Sequence, residues 1–345
     1  MSKRPSIFND VIGSVMRGPS SSHTAASWRI TRICMAIFNL PLKRALIDFD
    51  KDGAWATNYR EQGTVLGING GLLDLNITDD RMKNTEAIAK EAGIAIHYEV
   101  NAFPTSHANT VRLTLESVDG EHQQFIGIST GGGAFEIQKI DGVDVSLKGD
   151  YFELLVWTEG QRLPSCLEQI SKETQPVFLL FNGKSTLTNI KFSQPVSEEL
   201  IQELSKTSEV KEFVVVDPVL SIVSGNETEP PFRTVSELLD YGEKNQLDLG
   251  ELGLRYEQSG SGLPKSKLRE KMAKIIAIID QSIDAGLKGT DYSDRILQQQ
   301  SHLIKEAVET GKILQNSLLN NTIAYVTAIM ESKSGLEVIV ANPTA

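Results

Sequence analysis

The sequence is poor in cysteine, in histidine and in positive charge, and each shortage closes off a class of function. Only two cysteines, Cys34 and Cys166, and five histidines occur in 345 residues. Two thiols cannot make a disulfide framework, and a self-contained zinc or iron–sulfur site usually takes three or four ligands. Cys34 falls in a helical run and reads as a buried small apolar residue. Cys166 follows Pro164 and Ser165 at an expected helix start. Basic residues number 34 against 45 acidic ones, a net charge of −11, so the basic face that nucleic-acid phosphates require is missing. No apolar run reaches the length of about 18 residues that a membrane span needs. The start, Met-Ser-Lys-Arg-Pro-Ser, lacks the apolar core of a signal peptide. Neither nucleic acid nor membrane is expected as a partner, and a cytoplasmic location is. Internal repeats and low-complexity tracts are absent too. What remains, 40% apolar and 23% charged, is ordinary for a globular chain long enough for two or three domains.

What is present concentrates in Arg17-Gly-Pro-Ser-Ser-Ser-His-Thr-Ala-Ala-Ser-Trp-Arg-Ile30. Gly18 and Pro19 break the preceding segment, and Trp28, Ile30 and Ile33 then follow at helical spacing. A turn feeding a helix N-terminus leaves the first backbone N–H groups without internal partners, and the aligned peptide dipoles favour an anion there. Hydroxyls of Ser20, Ser21, Ser22 and Thr24 add hydrogen-bonding groups, and His23 adds a titratable one. A small carboxylate suits this place; the competing reading is a serine that only caps the helix. Ser129-Thr-Gly131-Gly132-Gly133 leaves bare backbone amides, which suits an anion-binding concavity, close chain approach or a flexible turn. The glycines of Gly63-Thr64 and Gly67-Ile-Asn-Gly-Gly71 are not spaced as a dinucleotide fingerprint. They suit a loop and helix at a site. His97 in a strand pattern, His122 in a turn and His302 on a polar helix read as structural or solvated.

Along the chain, residues 1–16 suggest a short helix or turn, and a helix follows to about Asn39, closed by Pro41. Strands are expected at 44–50, 94–100, 111–115, 125–128, 134–140 and 143–147, with Asp119-Gly120 as a hairpin turn. One polar helix is expected over Thr78–Ala92, ended by Gly93. From Tyr151 the order becomes β-α-β-β-α-β: strands at 151–157, 177–181, 186–192 and 210–216, helices at 164–174 and 197–206. That is a ferredoxin-like pattern. Pro218–Pro231 reads as a linker. Helices follow at 234–246, 249–258, 266–288 (ended by Gly286 and Gly289), 294–311 and 313–330. Leu268, Met272, Ile275, Ile279, Ile283 and Leu287 make one face apolar enough to pack onto further protein.

Asn9-Asp-Val-Ile-Gly13, followed after three residues by Arg17-Gly-Pro-Ser-Ser-Ser-His-Thr24, resembles the opening of the iron–sulfur-dependent L-serine dehydratases (L-serine ammonia-lyases), whose hallmark is that serine-rich string. Gly70-Gly-Leu-Leu-Asp74, His107-Ala-Asn-Thr110 and Gly127-Ile-Ser-Thr-Gly-Gly-Gly133 continue the resemblance. The unit from Tyr151 looks like an ACT-type domain. Phe232–Leu239 and Gly286–Gly289 look like the beginning of the family's α, or catalytic, portion, and Val340–Ala345 matches its Pro-Thr-Ala segment. The resemblance implies an α+β chain: an α/β serine-dehydratase β-type domain over 1–150, an ACT-like ferredoxin-fold domain over 151–217, a linker at 218–231 and a helical N-terminal part of the α-type domain over 232–345.

It also implies a chemistry. In that family a 4Fe–4S cluster with an open iron acts as Lewis acid on the substrate hydroxyl while a base removes the α-proton; water leaves and the enamine collapses to a 2-oxo acid and ammonia. Carried over, Ser20, Ser21, Ser22 and Thr24 hold the substrate carboxylate, with His23 as catalytic or proton-handling partner. Thr64, Asn109, Gly131, Gly132, Gly133 and Thr344 complete the substrate-binding set. The family's cluster cysteines follow the Pro-Thr-Ala segment, whereas this chain ends at Ala345, and Cys34 and Cys166 match no ligand position. The resemblance then implies either a truncated relative or, as the leading expectation, cluster ligands from a second subunit, with homodimerisation of the heteromer left open. The family's Lys-Gly-His-Gly-Thr-Asp string reads Arg60-Glu-Gln-Gly-Thr-Val65, its Asn-Glu-x-Asn string reads Met330-Glu-Ser-Lys333, and a glycine pair near 295 is replaced by Asp-Arg-Ile-Leu-Gln298. The leading expectation is a subunit of a hydro-lyase acting on L-serine or a related small β-hydroxy acid. The alternatives are a non-catalytic regulatory or anion-binding subunit, and a metal-free lyase using His23 and His107.

Overall fold

The computed structural model describes residues 4–159, 167, 177–181, 185–225, 228–292, 297–313 and 316–341. The expected helix at 164–174, apart from Leu167, lies outside them, as do Cys166 and Thr344.

Helix α1 (Ala26–Phe38) is the centre of the molecule. Its stripe of Ile30, Ile33, Cys34 and Ile37 is fully buried, and Asn39 ends it in the left-handed conformation. On one side lies a six-stranded sheet of β2 (Leu42–Asp50), β3 (Ala95–Asn101), β4 (Thr110–Ser117), β5 (His122–Gly131), β6 (Ala134–Ile140) and β7 (Val143–Leu147), ordered β3-β2-β4-β5-β6-β7. Only β2 and β3 are parallel. The crossover between them carries helices α2 (Thr64–Leu72) and α3 (Thr85–Glu91). Ala45, Ile47 and Phe49 alternate inward from β2, as do Val111, Leu113 and Leu115 from β4.

A second, wholly antiparallel sheet, β8 (Phe152–Glu159), β9 (Val177–Phe181), β10 (Ser185–Phe192) and β11 (Val210–Val216), takes the order β11-β8-β10-β9. Its strand β8 is buried on both faces. Leu155 joins the core around α1 together with Leu187, Val214 and Val216. Leu154 and Val156 pack with Leu167, Leu200 and Leu204, the last two on helix Glu198–Lys206. Thus α1 is sandwiched between two sheets in a mixed α+β architecture.

The stretch 218–231 is packed against the body. Ile222 is buried, and its backbone exchanges two hydrogen bonds with the Asn9 side chain, at 2.7 and 3.0 Å. The C-terminal third is helical: Val235–Asn245, Leu249–Ser261, Lys265–Lys288, Ser301–Glu309 and Ser317–Ser332. Strand β12 (Val340–Ala341) then returns to pair antiparallel with β1 (Val15–Met16), directly before the serine-rich turn.

Residues 7–11, within the short helix or turn expected over 1–16, form a π-helical turn capped by Ser6, with β1 after it. Three expectations need correction. The single helix over 78–92 is two pieces, a 3₁₀ turn Asp80–Asn84 capped by Asp79 and then α3, broken where Asn84 leaves helical geometry. Gly286 does not end its helix, which runs to Lys288. It sits where helix Ser317–Ser332 crosses, and a Cβ there would overlap the Ala328 carbonyl. The helix expected from residue 294 begins at Ser301, where the buried Glu331 carboxylate accepts the backbone N–H groups of Gln300 and Ser301.

Candidate active site

The serine-rich turn is a π-helical turn, Ser21–Ala25, flowing into α1. Its first internal hydrogen bond is Thr24 N–H to Ser20 O at 2.7 Å. The amides of Ser21, Ser22 and His23 precede that bond and face away from the helix. Ser21 and Thr24 are buried; Ser20, Ser22 and His23 are partly exposed.

Helix α2 brings its N-terminus to the same place. A side chain on Gly63 or Gly67 would overlap Thr24 or Ser27, and one on Gly71 would overlap Thr31. Positions 63, 67 and 71 therefore climb alongside 24, 27 and 31, so the helices run parallel and their positive ends meet. Ser27 Oγ donates to Thr64 O at 3.1 Å, and Thr24 Oγ1 to Gln62 O at 3.3 Å. Glycine spacing in the sequence signals a special use; the structure shows that use to be close helix approach.

His23 lies between three side-chain partners. Its Nε2 is 3.0 Å from Asn58 Oδ1, and its Nδ1 is 3.1 Å from both Ser20 Oγ and Ser22 Oγ, themselves 3.2 Å apart. Burial lowers the His23 pKa and the Asn58 hydrogen bond partly offsets this, a balance that favours the neutral imidazole. Trp55 packs 6.1 Å from it, ring centre to ring centre.

The third wall is the β5–β6 turn. Gly131, Gly132 and Gly133 all have positive φ, at 101°, 61° and 88°, a run that residues with a Cβ rarely adopt. Ser129 Oγ donates to Ser22 O at 2.9 Å, and Ser129 N–H to Asn109 O at 3.0 Å, tying Asn109 to the serine turn. The buried Arg29 donates to Gly133 O at 2.5 Å, and desolvation lowers its pKa to about 10. Arg17 staples the turn from behind. It donates to Thr78 O at 3.0 Å and to Leu336 O and Glu337 O at 2.6 and 2.9 Å, and pairs with Asp80 at 2.7 Å. A cleft of about 470 Å³ opens beside Pro19, lined by Gly63, Arg60, Lys83, Glu86 and Gly335 among others.

One observation sets this region apart. Among the described residues six buried side-chain polar atoms have no hydrogen-bond partner, and four lie around the turn: Ser14 Oγ, Trp55 Nε1, Thr64 Oγ1 and Asn109 Oδ1. Unpartnered buried polar groups are costly, and in a native fold they call for a reason.

The structure thus gathers Ser20, Ser21, Ser22, His23, Thr24, Thr64, Asn109 and the three glycines around one turn. His107 holds its own loop, its Nδ1 accepting the Asn109 N–H at 3.1 Å. His97, His122 and His302 are exposed. Asn58, Trp55, Ser129 and Arg29 escape a reading of the sequence; only Ser129, beside the three glycines, carried a signal. Cys34 is fully buried and burial raises its thiol pKa. Among the described residues no group of three or more His, Cys, Asp or Glu side chains is placed to hold a metal ion, and no helix is long and apolar enough to cross a membrane.

No protein-family profile matches the chain. Two curated proteins do. A probable L-serine dehydratase, beta chain, of Bacillus subtilis (strain 168) is 34% identical over 211 residues, 59% of this chain and 94% of that protein. The L-serine dehydratase, beta chain, of Peptoniphilus asaccharolyticus is 30% identical over 199 residues, 55% of this chain and 89% of that one. On that similarity, which takes in nearly the whole of each relative, this chain belongs to the family of L-serine dehydratase beta chains.

Proposed function

We propose that the chain is the substrate-seating subunit of a lyase that dehydrates L-serine or a related small β-hydroxy acid to a 2-oxo acid. The observation that carries this reading is the presence of four unpartnered buried polar atoms near a turn where two helix N-termini meet. The amides at Ser21–His23 take the carboxylate, Thr64 and Asn109 offer side-chain oxygens, and His23 with its two serines handles a proton. Thr344 belongs to the same proposal from the resemblance alone.

Among the described residues the donor set does not fit a 4Fe–4S cluster: Cys34 is sealed in the core as a thiol, and no group of three or more His, Cys, Asp or Glu side chains is placed to hold a metal. The cluster thiolates are assigned to a partner alpha chain. Helix Ser317–Ser332 supports such a partner, with Leu318, Leu319, Ile323 and Val326 turned to solvent. The segment from β8 to β11 is read as an ACT-like, ferredoxin-type unit, supported by its strand order. The helical residues 232–345 are read as the first part of an α-type domain.

A non-catalytic regulatory or amino-acid-binding subunit is the second reading, favoured by Val65, which is buried and apolar where the resemblance expects an acid. The test is anaerobic reconstitution with a cysteine-bearing alpha chain and assay across small hydroxy acids. Turnover of L-serine by the mixture only is expected. Binding without turnover would establish the second reading, and full turnover by this chain alone without iron would overturn the first.

A further inference from the structure

We infer that Asn58 is a positioning residue: it fixes His23 as the Nε2–H tautomer and so decides which hydrogen-bonding face the serine turn offers a ligand. This rests on the turn being a substrate seat, and goes beyond it to the class of ligand preferred.

The Asn58 side chain meets His23 Nε2 through its carbonyl oxygen, at 3.0 Å. A carbonyl oxygen only accepts, so Nε2 carries the hydrogen, and in a neutral ring Nδ1 is then a bare acceptor. The Asn58 backbone is itself held, its N–H donating to Trp55 O at 3.2 Å and its carbonyl accepting the Gln62 N–H at 3.0 Å. Facing Nδ1 are the hydroxyls of Ser20 and Ser22, both at 3.1 Å and 3.2 Å from each other. Each serine has one proton to give. One goes to Nδ1, and the second goes to Nδ1 or to the neighbouring hydroxyl. Both protons are thus used inside the triangle, and the oxygen lone pairs are left facing outward. The amides of Ser21, Ser22 and His23 are donors in the same turn.

Donors and acceptors side by side match a carboxylate with an ammonium or hydroxyl next to it, as in an α-amino or hydroxy acid, over a plain carboxylate. The opposite tautomer would place a hydrogen on Nδ1. The serine protons would then be free to turn outward, and the turn would offer a ligand more donors and fewer acceptors.

The experiment uses the full chain with ¹⁵N-labelled histidine, His23 being assigned by its loss in His23→Gln. Long-range ¹H–¹⁵N correlation at pH 7.5 reads the tautomer, and shifts at the turn read binding of L-serine against propionate. The wild type is expected to show Nε2–H and to prefer L-serine. Asn58→Leu is expected to mix the tautomers and to cut that preference about tenfold. Asn58→Asp keeps an acceptor at Nε2 and charges the ring, so the preference moves toward propionate. An Nδ1–H tautomer in the wild type overturns the inference, as does equal loss of both ligands in Asn58→Leu with the tautomer unchanged. An Nε2–H ring with no shift at the turn from either ligand overturns the seat itself, which separates the two failures.

Discussion

Two helix pairs in this molecule use one contact device to opposite ends. In the first, α2 lies against α1 through Gly63, Gly67 and Gly71. In the second, helix Lys265–Lys288 meets helix Ser317–Ser332 where Gly286 lies against the Ala328 backbone. In the first pair, the far side of α1 is covered by both sheets, and Ile30, Ile33 and Ile37 are sealed. In the second, small and polar residues face inward: Asn320, Ala324, Ala328, Glu331 and Ser332 are buried. The large apolar ones face out, Leu318 at 79% exposure and Val326 at 54%. Glycine sets how near two helices come. Which side faces water is set by the next layer, and the second pair lacks that layer within this chain's described residues. That places the first pair's business inside the fold and the second pair's at a surface.

The sharpest way to break this contrast is to shorten one isoleucine in each pair. Ile30→Ala opens a cavity under two sheets and is expected to cost about 2–5 kcal/mol in urea unfolding. Ile323→Ala removes an exposed side chain and is expected to stay within about 0.5 kcal/mol. Leu318→Glu should likewise leave the chain's stability unchanged while weakening its association with an alpha chain, read by analytical ultracentrifugation of the mixture. Equal stability losses at 30 and 323 would erase the distinction. Glycine replacements give the next largest effect. Gly67→Ala forces its methyl onto Ser27 Oγ and the Thr24 carbonyl, both locked in the core, and about 3 kcal/mol of destabilisation is expected. Gly286→Ala meets the Ala328 carbonyl, but the outer face of that helix is exposed, and a smaller loss of about 2 kcal/mol is expected. A larger loss at 286 than at 67 would mean that the C-terminal helices are the more rigid pair.

The same contrast explains what the sequence made legible. The stripe Ile30, Ile33 and Ile37 and the serine turn before it are local, fixed by periodicity and by the chemistry of a helix start. The hairpin at Asp119-Gly120 and the strands β4 to β7 are local too. The order β11-β8-β10-β9 agrees with a β-α-β-β-α-β reading, though its first helix lies outside the described residues. What stayed hidden depends on partners far along the chain. Asn58 reaches His23 across 35 positions, and no spacing marks it. Gly286 has the composition of a helix end, and only the crossing at Ala328 reveals a different use. For the helix expected at 313–330 the sequence marks no inward face, so a helix facing solvent with its large residues reads the same as one facing a core. The break of the 78–92 helix at Asn84 was equally silent, since Arg17, over 60 residues upstream, holds Thr78 and Asp80 in place.

The smallest expected effect belongs to His23 and tests whether the first pair pays for its site in stability. Burial holds the His23 pKa below its ordinary 6.5 in the folded chain. Well above pH 6.5 the ring is neutral both folded and unfolded, and it adds no pH dependence. As pH falls from 6.5 through the lower folded value, the unfolded chain takes the proton first, so stability present above that window is lost across it. Urea midpoints at pH 7.5 and 5.5 should therefore fall further in the wild type than in His23→Gln, which has no imidazole to charge. A carboxylate bound at Ser21–His23 would sit beside the ring and favour its charged form, so propionate should narrow the difference between the two proteins. Parallel acid limbs for wild type and variant would place His23 in water, outside the hydrogen-bonded triangle on which the seat depends.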